Sequence, residues 1–123
     1  METYKFSFEN LKVWQKSIDL AKAIYLYTNT FPQEEKYGLI SQMRRATVSV
    51  SSNLAEGSGR KSGKDKAHFT VQAYGSLMEL VNQAVLSNQL GYLEEESYQQ
   101  IRSKSEEISR MLTALRESQL RRS

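Results

Sequence analysis

The stretch QMRRATVSVSSNLAEGSGRKSGKDK, residues Gln42 to Lys66, can be read as a strand, a helix or a phosphate-cradling loop. From Ala46 to Ser52 the β-branched Thr47, Val48 and Val50 alternate with serines, which is the period of a half-buried strand. Extending the frame favours a different period. Ile40, Met43, Thr47, Val50 and Leu54 recur at steps of three and four, and a strand would leave Ile40, Met43 and Leu54 unexplained. A strand also needs a partner, and no other segment reads as one. The spacing therefore predicts a helix ending around Gly57.

Working outward, the same period appears three more times. Leu11, Trp14, Ile18, Ala21, Tyr25 and Thr28 form one seam, ahead of a break at Pro32. Glu34 and Glu35 then stand where the positive end of a helix dipole favours acids, so the second helix is expected to start near Gln33. Phe69, Ala73, Ser76, Leu77, Leu80, Ala84 and Ser87 give a third seam, with Gly91 placed as a C-terminal cap. Tyr98, Ile101, Ser105, Ile108, Leu112 and Leu115 give a fourth. Its start holds Glu94, Glu95 and Glu96, and its end Arg116, Arg121 and Arg122, matching the dipole at both ends. Helices at roughly 9–30, 33–57, 64–90 and 94–119, joined by short links, predict one all-α domain over 1–123, an antiparallel up-and-down four-helix bundle.

Composition narrows the function classes. With 123 residues, no cysteine and one histidine, the chain offers no disulfide framework, no thiolate or histidine-rich metal site and no cysteine nucleophile. His68, the Glu94–Glu96 run and the Glu106–Glu107 pair read as structural or solvated groups, so neither an enzyme nor a cofactor is expected. The first residues carry acids without a basic, then apolar, leader pattern, and no uncharged apolar run is long enough for a membrane span. A cytoplasmic protein is expected. The net charge of +3 permits an anionic partner without requiring one.

The loop EGSGRKSGKDK is not a nucleotide-binding loop. Five residues separate Gly57 from Gly63 and three separate Gly59 from Gly63, where the motif needs four, and Asp65 replaces the magnesium-holding hydroxyl. The loop also follows a helix instead of a strand. Arg60, Lys61, Lys64 and Lys66 nonetheless concentrate positive charge here, with Arg44 and Arg45 a few turns back along the same helix. Arg44, Arg45, Arg60, Lys61 and Lys64 are the candidate nucleic-acid contacts. A solvated turn would have the same composition, and Arg45 would equally suit an ion pair at a subunit contact.

Two surfaces are unlike those of a monomer. Ser49, Ser52, Asn53 and Glu56 cluster on the face opposite the second seam, where short polar side chains let another backbone come close, from a helix or from a subunit. Between Ala67 and Leu93 the only acid or base, His68 aside, is Glu79, and Val71, Gly75, Met78 and Val85 lie off the third seam. A helix apolar nearly all round is buried on more than one side. Self-association is the economical expectation, with those eight residues as candidate interface. Because the two faces differ, the contact is expected to be heterologous, the kind that closes into a ring.

Taken together, FENLKVWQKSIDLAKAIYLYT, FPQEEKYGLISQMRRATVSVSSNLAEGSGR and AYGSLMELVNQAVLSNQLGYL resemble the four-helix bundle proteins encoded in intervening sequences of bacterial 23S ribosomal RNA genes. The most specific residues are Gln42, Arg44, Arg45, Ala46, Ser49, Asn53, Ala55, Glu56, Gly57, Gly59 and Arg60. The resemblance implies a cytoplasmic bundle that assembles into a homopentameric ring, with no established catalytic residues. More distantly the chain is similar to the accessory protein of diversity-generating retroelements, which works with a reverse transcriptase and RNA. The expected function is non-catalytic binding of structured RNA or a ribonucleoprotein by a self-assembling bundle. The other expectation is a protein-binding or structural homo-oligomeric adaptor.

Overall fold

The computed structural model describes residues 2–122. Among them, four α-helices carry the architecture and no strand occurs: α1 Lys12–Thr28, α2 Leu39–Ser58, α3 Gly63–Gln89 and α4 Glu95–Arg121. The ambiguous stretch from Ala46 to Ser52 lies wholly within α2. Each helix packs on two others, α1 and α3 both meeting α2 and α4. A common core sits between them, led by Leu20, Ile24, Met43, Leu77, Leu80, Ile101, Ile108 and Leu112, each fully buried. Burying a side chain of this size contributes about 1.5–3 kcal/mol relative to leaving it in water.

The seams of α2, α3 and α4 follow the buried positions, with Ile40, Phe69, Tyr98 and Leu115 half-buried at their ends, but that of α1 is rotated. Its buried line runs Val13, Ser17, Leu20, Ile24, Thr28, while Leu11, Trp14, Ile18 and Ala21 are only half-buried and Tyr25 is exposed. Trp14 instead packs at 5.0 Å against Phe8, in the 3-10 turn Ser7–Asn10 ahead of the helix. Ser17 tolerates the core because its hydroxyl donates to the Trp14 carbonyl at 2.7 Å.

The links explain the remaining differences. After Pro32 the chain forms a 3-10 turn, Gln33–Glu35, and α2 begins only at Leu39. Glu35 still serves that helix, its Oε1 accepting from the Leu39 N–H at 3.1 Å, where the dipole favours a carboxylate. At the far end α2 continues through Gly57 to Ser58. Gly57 is buried there, and a methyl on it would lie 2.8 Å from Phe69 Cβ, so this glycine lets α3 approach. Ser62 caps α3, its Oγ accepting from Asp65 N at 3.0 Å. Gly91, just past the end of α3, has φ +83°, a left-handed conformation suited to glycine, with the Tyr92 and Leu93 N–H groups donating back to the Ser87 carbonyl.

Candidate nucleic-acid interface

The chain path brings cations from separate helices to one end of the molecule. Thr70 Oγ1 donates to Gln119 Oε1 at 2.7 Å, fixing the start of α3 beside the end of α4. A cleft of about 210 Å³ at that end is lined by Gly57, Ser58, Lys66, Ser118 and Arg122 among others. Arg60 and Lys61 of the α2–α3 link and Lys64 in the first turn of α3 therefore share an end with Lys66, Arg121 and Arg122. Lys61, Lys64, Arg121 and Arg122 are exposed. Arg60 lies over the Phe69 ring at 4.6 Å and pairs with Glu56 at 2.9 Å, a solvent-exposed contact of the kind that holds a side chain in place for less than about 1 kcal/mol. Sequence reading assigned Arg121 and Arg122 only to the helix dipole, because nothing local shows that the end of α4 meets the α2–α3 link.

The opposite end is acidic. It carries Glu34 and Glu35 in the turn before α2 and Glu94 to Glu96 at the start of α4, and there the Tyr92 hydroxyl donates to Glu35 Oε2 at 3.5 Å while its ring lies 5.8 Å from that of Phe31. Desolvation, then the Glu35 and Glu34 charges and the Glu35 hydrogen bond, push the Tyr92 phenol above its ordinary value, since each disfavours a phenolate. The charge distribution is thus polar along the helix axes, basic at one end and acidic at the other.

Arg44 and Arg45 lie elsewhere. The Arg44 guanidinium sits over the Tyr25 ring at 4.6 Å, and its Nε and Nη2 donate to Thr28 Oγ1 (3.0 Å), Asn29 Oδ1 (3.0 Å) and the Tyr25 carbonyl (3.3 Å). These contacts place a positive charge at the last turn of α1, where the helix dipole favours a cation, and tie α1 to α2. Arg45 is exposed and lines a shallow cleft of about 250 Å³ between α2 and α3, with Gln42, Ser49, Ser76, Glu79 and Gln83.

Of the small polar residues on α2, Ser49 and Asn53 contact α3 of the same chain or support that contact. Ser49 Oγ and Ser76 Oγ are 2.8 Å apart, and Asn53 Nδ2 donates to Ser49 O and Oγ at 2.9 and 3.1 Å. Of the two neighbours left open by sequence, the intramolecular helix meets Ser49. Ser52 and Glu56 are exposed. On α3, Val71 (49% exposed), Met78 (39%) and Gly75 face out, and a Cβ on Gly75 would meet nothing within 4 Å. Val85 is half-buried. Val71, Tyr74 and Met78 border a groove beside α4.

No cluster of three potential metal-ligating side chains occurs among the described residues, and no helix there is long and apolar enough to cross a membrane. His68, on the exposed side of α3, meets Gln72 at 3.1 Å.

Comparison with known proteins supplies the family. The sequence pattern of the 23S rRNA-intervening sequence protein family matches residues 9–114, which takes in all of α1, α2 and α3 and most of α4. No curated protein matches the chain. Among solved structures, one similar fold is a crystal structure of a protein of unknown function from the S23 ribosomal protein family of Bacteroides thetaiotaomicron. It superposes with a TM-score of 0.77 at 23% identity, covering 85% of this chain and 97% of that one.

Proposed function

The chain belongs to the family of 23S rRNA-intervening sequence proteins, and from that premise we propose that it is a cytoplasmic, non-catalytic, self-assembling protein that binds structured RNA or a ribonucleoprotein. Its four helices are taken to run alternately up and down, as the short links between them favour. The observation that carries the reading is the gathering of Arg60, Lys61, Lys64, Lys66, Arg121 and Arg122 at one end. Exposed lysines and arginines gathered at one end suit phosphate backbones, where each contact releases counterions. Arg44 is left out of this surface because its donors are engaged within the chain.

Assembly strengthens the same surface. A ring of copies related by one rotation axis would present all the basic ends on one face and multiply a modest local charge. Five copies are what the family resemblance implies. The exposed apolar residues of α3 support association. They also favour the second reading, a structural or protein-binding oligomer, which needs that face and not the basic end. Purification at low salt, with the absorbance ratio and any bound nucleic acid recorded, separates the two. Co-purifying RNA released by salt supports the first, while a nucleic-acid-free oligomer indifferent to salt favours the second.

A further inference from the structure

The cleft at the basic end carries charge of one sign. Lys66 of α3 and Arg122 at the end of α4 line it together with Ser7, Ser118 and Gln119, and no acid is among its lining residues. Lys66 lies one turn before Thr70, whose hydroxyl also reaches the Lys66 carbonyl at 3.2 Å, and Arg122 lies three residues after Gln119. The two cations therefore flank the Thr70–Gln119 hydrogen bond on the side toward the molecule's end. Among the described residues neither cation pairs with a carboxylate. Glu56 is taken by Arg60 at 2.9 Å and Glu9 accepts from the Phe6 N–H at 2.8 Å, while Asp65 and Glu117 are exposed and outside the lining.

Helix dipoles do not decide the sign here. Residues beside the starts of α1 and α3 and the ends of α2 and α4 all line the cleft, and at about half a charge each the two positive and two negative helix ends cancel. The side-chain cations are left to set the potential. Leu11, Leu54 and Leu115 supply an apolar part of the lining, which reduces solvent screening of the charges beside it. The Gln119 amide uses its oxygen to accept from Thr70, which leaves Nε2 as a donor alongside the lysine and arginine.

Resting on the RNA-binding reading, we infer that this cleft receives the terminal phosphate of an RNA strand, with Lys66, Arg122 and Gln119 Nε2 as its donors. Its volume of about 210 Å³ is below the range of about 300–1,000 Å³ that encloses a whole small molecule, so it fits a single group. A terminal phosphate monoester carries about −1.5 to −2 charges at neutral pH and three acceptor oxygens, more than a diester within the strand offers. Two cations without partners favour the strand end accordingly. The strand also leaves a terminal phosphate on one side only, and a cleft lined from four helix ends admits that more readily than a continuous backbone. Arg60, Lys61 and Lys64 stand outside the cleft and meet the phosphates that follow.

Fluorescence anisotropy of one internally labelled RNA hairpin with single-stranded ends, prepared with a 5′-phosphate, a 3′-phosphate or hydroxyls at both ends, tests this. At least one phosphorylated form should bind the full chain about tenfold more tightly than the hydroxyl form, the worth of one hydrogen bond to a charged group. Lys66→Ala and Arg122→Ala should each remove most of that advantage, with helicity unchanged by circular dichroism. Lys64→Ala, outside the cleft, should weaken all three forms by the same factor and keep the advantage. Inorganic phosphate added at constant ionic strength should compete the advantage away. Equal binding of all three forms by the unaltered chain overturns the inference and leaves RNA binding standing. Inorganic phosphate that binds the unaltered chain while the three RNAs bind equally marks a free-anion site and overturns it as well. An advantage that survives both Lys66→Ala and Arg122→Ala places the phosphate elsewhere and refutes the assignment. Absence of binding to every RNA removes the inference together with the reading beneath it.

Discussion

Replacing Gly57 by alanine sets two effects of similar size against each other. Glycine inside a helix is about 0.8–1.0 kcal/mol worse than alanine, so propensity alone would stabilise the variant. The added methyl, however, would lie 2.8 Å from Phe69 Cβ and 3.5 Å from the Lys66 carbonyl. Phe69 Cβ is fixed to the α3 backbone, so relief requires moving a helix, and overpacking of this kind costs about 1–3 kcal/mol. The net expectation is a loss of about 1 kcal/mol. At about 2.1 cal/mol/K per residue, a chain of 123 residues has an unfolding entropy near 0.26 kcal/mol/K, so Tm falls by about 4 °C. Gly57→Val should fall further. Circular-dichroism melts at one fixed protein concentration read the sign, since assembly would otherwise shift Tm. A rise of several degrees for Gly57→Ala would show that α2 and α3 are not in close contact at this position, and the reasoning would fail.

Other substitutions report on separate parts of the account. Arg44→Ala should lower stability by about 1–2 kcal/mol in denaturant titration, because Thr28, Asn29 and the Tyr25 carbonyl lose a charged donor, yet leave the salt dependence of RNA binding unchanged. Arg44→Lys should recover little of that loss, since a lysine cannot reproduce the planar fork. For Tyr92 the folded chain holds the phenolic proton more tightly than the unfolded one. The stability it contributes is therefore present at neutral pH and is lost as pH rises from about 10. Tyr92→Phe should make the alkaline decline of Tm shallower, and identical declines in the two proteins would contradict the assignment.

Much of the helical pattern was legible because large apolar residues keep a period of three and four over long spans, as Met43, Val50 and Leu54 do against a local alternation. The α1 seam was misplaced for the same reason. Trp14 and Ile18 drew the reading toward themselves, while the buried line passes through Val13, Ser17, Leu20 and Ile24 and shares only Thr28 with it; Ser17 is polar and hydrogen-bonds to the backbone within its own helix. The start of α2 was read too early because Pro32 and the acids after it suit a helix start, and the intervening 3-10 turn uses one of those acids, Glu35, as the cap. Partnerships across the chain were beyond local pattern. Arg44 with Asn29, Ser49 with Ser76, and the joining of the α4 end to the α2–α3 link all depend on how the helices pack.

The central claim is that the basic end binds RNA through phosphate contacts. Fluorescence anisotropy of a labelled RNA hairpin, titrated with the full chain between about 50 and 200 mM salt, measures it most directly. The account predicts that log affinity falls linearly with log salt. Replacing Arg60, Lys61 and Lys64 together by alanine should weaken binding about equally for unrelated hairpins and flatten the slope by about 2–3, close to one per lost contact. No detectable binding at the lowest salt, or an affinity and slope that the triple replacement leaves unmoved, would contradict it.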